Sequence, residues 1–203
     1  MVRLLLIRHA ETTANAERLL DTAPPGTDLS ERGRMQAEEL VEALADVPLE
    51  AIYVSDLVRT QQTAAPLAAA RGLVPLVRPG VREIQAGKYE MAPDDGSWDA
   101  YLAVLYRWAD GEPHARIPGG ESGIEVLARF DAVVAEAAGH DSAAIVSHGA
   151  MIRAWTGARA ANVDRALVAD TRLYNTAVIV LDGSPDAGWR VDTWANEPVP
   201  QLD

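Results

Sequence analysis

Apolar runs alternate along the chain with segments of helical periodicity. Four short apolar runs predict strands, at residues 2–7, 51–54, 73–77 and 143–146. Helical spacing predicts helices at 30–46 with Ser30 as N-cap, at 56–71 ending at Gly72, and from 149 to about 156. Residues 174–181 and 189–194 flank a turn sequence, and they predict a final hairpin.

The pattern becomes irregular between Gly80 and Gly123, where one aromatic helix is predicted at 98–108. We interpret residues from about 84 to 122 as an excursion that covers a functional site, because so short a stretch has little core of its own. The whole chain, residues 1–203, is then predicted to form one domain. Residues 196–203 contain two prolines and are expected to be extended and mobile.

Strands separated by helices of this length imply parallel crossover connections. The predicted fold is therefore a three-layer α/β/α sandwich with a mostly parallel central sheet. Ligands of such sheets bind beyond the carboxyl ends of the strands. The residues that follow the strands are the first candidates for a functional site.

Charged and imidazole side chains collect at these strand ends. They are Arg8, His9, Arg59, Arg82, Glu83 and His148. Each alone has an ordinary structural explanation, such as a hydrogen-bonded histidine, a solvated glutamate or a surface ion pair between Arg59 and Asp56. Their convergence on one edge of the predicted sheet is the stronger observation, because the side chains complement one another chemically.

Together these groups supply the parts of a metal-independent phosphoryl-transfer site. Two guanidiniums match phosphate oxygens, and a neutral imidazole can attack phosphorus. A second histidine can neutralise charge on the transferring group, and a carboxylic acid can protonate the leaving oxygen. The sequence therefore points toward the transfer or hydrolysis of a phosphate ester.

Motifs of competing chemistries are missing from the sequence. It contains no GxxxxGK[ST] loop, no HExxH pair, no GxSxG elbow and no GxGxxG after a strand. A metal site made of two histidines and one carboxylate, either Glu11 or Glu83, stays open at this point.

Composition narrows the function classes further. The formal net charge of -12 argues against a protein that coats nucleic acid or an anionic membrane. The chain has no cysteine, which excludes disulfides, thiolate metal sites and a cysteine nucleophile. Its 18 basic residues include a single lysine, Lys88. No signal peptide or membrane span is visible, so a cytoplasmic protein is expected.

Six ordered blocks resemble the histidine phosphatase superfamily, also called the phosphoglycerate mutase-like family, over nearly the whole chain. They are residues 5–12 followed by Asn15, then 28–33, 55–60, 82–84, 118–122 and 146–149. The resemblance implies that His9 is a phosphorylated nucleophile and that Glu83 is the proton donor. It implies a phosphate pocket of Arg8, Arg59, His148 and Asn15, with Thr12 and the backbone N–H of Gly149 as further substrate contacts. It implies no metal and no organic cofactor.

Three features depart from the family pattern. Ala10 replaces the usual glycine, and its methyl group could crowd the phosphate or restrict the backbone. Met91 stands where a glycine often follows Glu90, and residues 20–26 lack the familiar glycine-containing pattern. The last two departures concern substrate identity, because no reacting group is lost.

The resemblance leaves three functions to weigh. The leading one is a phosphomonoesterase, and the runner-up is a phosphoglycerate mutase that passes the phosphoryl group to a second hydroxyl. The resemblance implies that mutases of the family have longer chains, with extra basic residues after the block that carries the acid, here residues 82–84. Residues 85–122 of this chain are compact and acidic, which favours the phosphatase. The third is a silent phospho-ligand binder, which only Ala10 supports.

The expected partner is a small-molecule phosphate ester, with neither nucleic acid nor membrane involved and with homodimer formation left open. Most aromatic side chains of the excursion are expected to pack it onto the sheet. One or two of them, with Tyr89 and Trp98 as the candidates, are expected to line the site and contact an apolar or ring-shaped leaving group.

Overall fold

The central sheet has seven strands among the residues that the computed structural model describes, which are 1–164, 167–168, 171, 173–195 and 197–199. The strands are β1 Val2–Arg8, β2 Ala51–Val54, β3 Leu76–Val77, β4 Ser142–Ser147, β5 Val178–Ser184, β6 Gly188–Trp194 and β7 Glu197–Pro198. Their order is β3-β2-β4-β1-β5-β6-β7. The first four in this order are parallel to one another, and β5 to β7 continue the sheet antiparallel.

Six α-helices lie within the same described part of the chain. They are α1 Thr13–Ala16, α2 Glu31–Ala43, α3 Val58–Arg71, α4 Asp95–Ala109, α5 Gly123–Ala137 and α6 Gly149–Arg159, with single 3-10 turns at Pro79–Val81 and Gly87–Tyr89. The predicted caps are confirmed: the Ser30 hydroxyl accepts the Gly33 N–H at the start of α2, and Gly72 ends α3 with φ +64°.

Both faces of the sheet are covered, which explains why its central strands are mostly apolar. On one face, Leu5 and Ile7 of β1 share a buried cluster with residues of α2 and α3. On the other, Leu4 and Leu6 share a cluster with residues of α4, α5 and α6. The predicted α/β/α sandwich is thus confirmed.

Some predicted boundaries need correction. The strand expected at 73–77 has only residues Leu76–Val77, and the first hairpin strand begins at Val178 instead of residue 174. The last helix continues three residues beyond 156 to Arg159, and the aromatic helix covers Asp95–Ala109, beyond both ends of the predicted 98–108. These differences follow from tertiary pairing: β3 has two paired positions on β2, and β5 pairs with β1 from Val178 onward.

Part of the expected mobile tail is ordered, since Glu197–Pro198 pairs with β6 and the Val199 side chain is buried. Residue 196 and residues 200–203 of that tail lie outside the described residues. No helix of the described part of the chain is long and apolar enough to cross a membrane.

Candidate active site

A cavity of about 540 Å³ opens beyond the carboxyl ends of the parallel strands, with α4 and α6 as walls. Its polar end consists of Arg8, His9, Asn15, Arg59, Glu83 and Gly149. Its other end, which we name the apolar chamber, is lined by Trp98, Tyr101, Leu102, Leu105, Tyr106 and Trp108 of α4 and by Ala150, Ala154 and Ala158 of α6. The polar residues come from five separate parts of the chain: the end of β1, α1, α3, the loop that carries Glu83, and the start of α6.

His9 follows β1 and presents a neutral imidazole to the polar end. Its Nδ1 lies 2.7 Å from the Ala10 carbonyl oxygen. A carbonyl can only accept, so Nδ1 carries the proton and Nε2 keeps a free lone pair. Burial, together with the charges of Arg59 and Arg8, lowers the pKa of His9 well below its ordinary value. At neutral pH this ring is a ready nucleophile.

His148 follows β4 and has the opposite tautomer. Arg59 Nε donates to its Nδ1 at 3.3 Å, so the proton is on Nε2, which donates to the Ser55 hydroxyl at 2.9 Å. Its side chain is fully buried, and burial lowers its pKa well below the ordinary value. The ring centroids of His9 and His148 are 5.2 Å apart.

Arg59 is fixed by the loop that precedes α2. Its Nη2 donates to the backbone oxygen of Asp21 at 2.8 Å, and its Nη1 lies 3.4 Å from the Asp21 carboxylate. Asp21 is itself held by the backbone N–H and hydroxyl of Thr27. A Cβ on Gly26 would lie 2.5 Å from Arg59 Nη1, so this loop leaves room for the guanidinium. Burial lowers the pKa of Arg59, which remains cationic beside Asp21.

Arg8, the last residue of β1, has an unsatisfied donor in the polar end. Its Nη1 donates to the Leu173 carbonyl at 2.6 Å, while its buried Nε has no hydrogen-bond partner among the described residues. A buried guanidinium N–H without a partner is costly, and an anion in the cavity would satisfy it. Gly149 keeps this place open, because a Cβ there would lie 3.3 Å from Arg8 Nε.

Glu83 lies at the N-terminus of α6. Its Oε1 accepts the N–H groups of Met151 and Ile84, both at 2.9 Å, and its Oε2 accepts that of Ala150 at 3.2 Å. The loop carrying Glu83 is held by Arg129, whose guanidinium donates to three carbonyls along it, those of Gly80, Arg82 and Glu83. The carboxyl group is thereby fixed in the cavity wall.

Asn15 faces the polar end from α1. Its Oδ1 accepts the Thr12 N–H at 3.3 Å and the Asn175 amide at 3.1 Å, so its Nδ2 is the group available to a ligand. Thr12, predicted as a substrate contact, is the buried N-cap of α1 and is not part of the cavity wall.

A profile of the "Histidine phosphatase superfamily (branch 1)" matches residues 4–197. The chain belongs to the histidine phosphatase superfamily. The family predicted from the six blocks is thereby confirmed.

Curated relatives of this histidine phosphatase carry several names. PE-PGRS family protein PE_PGRS11 of Mycobacterium tuberculosis is 35% identical over 95% of this chain and 36% of its own length. Probable phosphoglycerate mutase GpmB of Enterobacter sp. (strain 638) is 34% identical over 67% of this chain and 63% of its own length. Phosphoserine phosphatase 1 of Hydrogenobacter thermophilus is 34% identical over 76% of this chain and 74% of its own length. The chain thus spans less than two thirds of the first two relatives.

Solved structures match more completely. A mycobacterial glucosyl-3-phosphoglycerate phosphatase has a TM-score of 0.79 and 30% identity, covering 96% of this chain and 99% of that one. A putative α-ribazole-5'-P phosphatase from Escherichia coli has a TM-score of 0.75 and 25% identity, covering 99% of each chain. The architecture is therefore that of known histidine phosphatases over almost its full length.

Besides Thr12 and the fully buried His148, three other candidates lie away from the cavity wall. Tyr89 packs against the core, with Lys88 Nζ 4.9 Å from its ring centroid, whereas Trp98 does line the cavity. Arg82 forms an ion pair with Asp56. Glu11 accepts from the Ser30 hydroxyl at 2.8 Å and is likewise not part of the wall. Within the described ranges, no three His, Asp or Glu side chains form a group that could hold a metal ion.

The departures from the histidine phosphatase pattern have local explanations. Ala10 is fully buried against Leu29 and Ala37, and it is not part of the cavity wall, so its methyl group does not face a ligand. Met91 has φ +59°, a left-handed conformation that favours glycine. Its N–H donates to the Leu20 carbonyl at 2.9 Å, which ties it to the loop that holds Arg59.

Several supporting residues are missed by the sequence analysis. Asp21, Gly26, Ser55 and Asn175 all fix a residue of the site, yet none has an unusual chemical group or a periodic pattern around it. The one available signal lies in residues 20–26, where the acidic Asp21 precedes Pro24, Pro25 and Gly26.

Proposed function

We propose that this protein is a metal-independent phosphomonoesterase that acts on a small phosphorylated metabolite through a covalent phosphohistidine at His9. The observation that carries the proposal is the neutral His9 ring, whose Nε2 lone pair lies in a cavity beside two buried guanidiniums. The names of the structural neighbours, a glucosyl-3-phosphoglycerate phosphatase and a putative α-ribazole-5'-P phosphatase, support it.

In the first step, His9 Nε2 forms a bond to phosphorus while the bond from phosphorus to the ester oxygen breaks. Glu83 gives its proton to the departing oxygen, so the alcohol leaves neutral. Arg8 and Arg59 bind the oxygens of the transferring group. The Ala10 carbonyl, which accepts from His9 Nδ1, stabilises the positive charge that develops on the ring.

In the second step, water attacks the phosphoryl group and Glu83 takes its proton. The bond from phosphorus to Nε2 breaks, and the electron pair returns to the ring. Inorganic phosphate and neutral His9 are formed, and Glu83 is again protonated. His148 and Arg59 stay hydrogen-bonded to each other behind the reacting atoms, which keeps the Arg59 fork oriented.

A phosphoglycerate mutase activity is the second candidate, because one relative is named as a probable phosphoglycerate mutase. The two functions share the first step and differ in the acceptor, which is water for a phosphatase and a second hydroxyl for a mutase. Cytoplasmic location and a homodimer stay predictions.

The test is a phosphate-release screen on phosphorylated metabolites in the presence of EDTA, with a mutase assay alongside. We expect phosphate release that EDTA leaves unchanged, an acid-labile phosphohistidine after quenching, and loss of at least about 10⁴-fold in kcat for His9→Ala. His140→Ala, a histidine outside the cavity, is the matched control. Substantial residual turnover in His9→Ala, or activity that needs added metal, would contradict the proposal.

A further inference from the structure

The apolar chamber extends far beyond the space that a phosphate group needs. Helix α6 begins at the polar end with Gly149, and its cavity-lining face continues to Ala158. At about 1.5 Å per residue, these nine steps correspond to roughly 13 Å. The chamber therefore has room for a leaving group about as long as two fused rings.

Three of the four aromatic side chains of the chamber use their polar atoms in hydrogen bonds to backbone carbonyls. Trp98 Nε1 donates to the Arg18 carbonyl at 2.8 Å, Tyr101 OH donates to the Ile84 carbonyl at 3.1 Å, and Trp108 Nε1 donates to the Ala115 carbonyl at 2.7 Å. Because the backbone already satisfies these donors, the rings offer a ligand mainly carbon surface. Such a wall favours apolar contact and offers little to a sugar hydroxyl or a carboxylate.

The facing wall is formed by small side chains of α6. Ala150, Ala154 and Ala158 are four residues apart, so they lie on one face of the helix. Their size leaves a slot between this face and the large side chains of α4. Two charged residues, Arg153 and Asp164, also line the cavity. The Arg153 guanidinium donates to the Val168 carbonyl, and the Asp164 carboxylate accepts the Leu167 N–H.

We propose that the substrate is a phosphate monoester whose alcohol carries a flat apolar ring, held in the slot between α4 and α6. This inference rests on the proposed function, since it assumes that the phosphate occupies the polar end. In an in-line displacement the leaving oxygen lies opposite the attacking nitrogen. The alcohol then extends away from His9 into the apolar chamber, which is continuous with the polar end.

The first measurement compares kcat/KM for three alkyl phosphates: 2-naphthylmethyl phosphate, glycerol 3-phosphate and 3-phosphoglycerate. All three have alcohol leaving groups, so differences report mainly on recognition. We expect the naphthyl ester to be favoured over each of the others by about 30-fold, equivalent to roughly 2 kcal/mol. A preference for 3-phosphoglycerate, which would rely on Arg153 for its carboxylate, would overturn the proposal, and so would equal values for all three.

A matched pair of variants then tests the slot. Ala158→Leu and Ala103→Leu make the same change at an exposed helical alanine, but only Ala158 lines the cavity. We expect Ala158→Leu to lower kcat/KM for the naphthyl ester by about tenfold, with glycerol 3-phosphate affected less than about twofold. Ala103→Leu should change neither value. Tyr106 is partly exposed at the edge of the chamber, and Tyr106→Ala should lower kcat/KM for the naphthyl ester alone, by about threefold.

Binding of a non-hydrolysable phosphonate separates this inference from the proposed function. 2-Naphthylmethylphosphonate and methylphosphonate are titrated into the protein by calorimetry. Tighter binding of the naphthyl compound, by at least about tenfold and reduced by Ala158→Leu, supports the slot even if no ester is hydrolysed. Hydrolysis of esters without such a binding preference would leave the phosphatase proposal intact and overturn the slot.

Discussion

The two ends of the cavity differ in what their polar atoms do. At the polar end, polar side-chain atoms are available to a ligand, whereas in the apolar chamber the ring donors of Trp98 and Tyr101 are hydrogen-bonded to backbone carbonyls. At the polar end, Arg8 and Glu83 are fixed by backbone groups and keep a reactive or unsatisfied atom toward the cavity. In the apolar chamber, Trp98 and Tyr101 donate to backbone carbonyls and present their ring faces. The same cavity thus separates reaction from recognition, so changes at its two ends are expected to have different kinetic signatures.

Among changes that leave His9 in place, the largest effect is expected from Glu83→Gln, which removes the proposed proton donor at the polar end. We expect kcat/KM for an alkyl phosphate to fall by about 10²- to 10⁴-fold, and for nitrophenyl phosphate by less than about tenfold, because nitrophenolate leaves without a proton. Glu112→Gln, in an exposed ion pair with Arg107, is the matched control. Equal losses on both esters would argue against the proton-donor role.

Asp21→Asn tests whether a residue with no reacting role determines the position of Arg59 at the polar end. Asp21 holds Arg59, so its replacement should displace the guanidinium and lower kcat/KM for all esters alike by about tenfold to 10²-fold. The control is Asp28→Asn, because the Asp28 carboxylate accepts a hydrogen bond from Gln62 and does not contact Arg59. A loss of kcat/KM confined to ring-bearing esters would instead mean that Asp21 takes part in recognition of the leaving group. That result would contradict the proposed separation between the polar end and the apolar chamber.

Between pH 7.5 and 5.5, acid should destabilise the protein through two buried histidines, His9 at the polar end and His148 behind it. The folded pKa values of His9 and His148 lie well below their ordinary value, so between pH 7.5 and 5.5 the unfolded chain takes up protons that the folded one does not. The free energy of unfolding should therefore fall as the pH falls through this window.

Urea titrations at the two pH values measure this loss. It should shrink in the double variant His9→Gln, His148→Gln and persist in Tyr106→Ala, which changes only the chamber. A loss of the same size in the double variant would show that other groups cause it.

The smallest effect is expected from Met91→Gly, at a residue that is hydrogen-bonded to the loop holding Arg59. Glycine accepts the left-handed conformation of residue 91 without steric cost, so the variant should be more stable by about 0.5 kcal/mol. Urea unfolding gives the stability, and kcat/KM should be unchanged for small and ring-bearing esters alike. A loss of stability would mean that the Met91 side chain contributes more through packing than its backbone conformation costs.

The sequence predicts well those features that depend on burial along a single element. Buried strands such as β1 and β4 contain unbroken apolar runs, at residues 4–7 and 143–146, and residues at their carboxyl ends must meet at one edge of the sheet. For this reason His9 and His148 could be expected near each other before any coordinates were known. The same rule, together with the family resemblance, predicts that Arg59 and Glu83 lie at this edge of the sheet as well.

Features that depend on how loops and helices pack could not be predicted in this way. Tyr89 and Trp98 are similar aromatic residues of one excursion, yet only Trp98 lines the cavity, because Tyr89 lies in a 3-10 turn whose side chain packs on the core. The slot likewise depends on the small face of α6 lying opposite α4, two helices that are distant in sequence. No local pattern specifies that pairing.

Gly26 changes how intact sequence motifs should be interpreted in related chains. It has no functional group, but any other side chain there would collide with the Arg59 guanidinium in the arrangement described above. A relative could therefore keep both histidines, both arginines and the glutamate and still have a disabled phosphate pocket. Inspection of this loop position, beside the motif residues, is a practical way to separate working enzymes from inactive look-alikes.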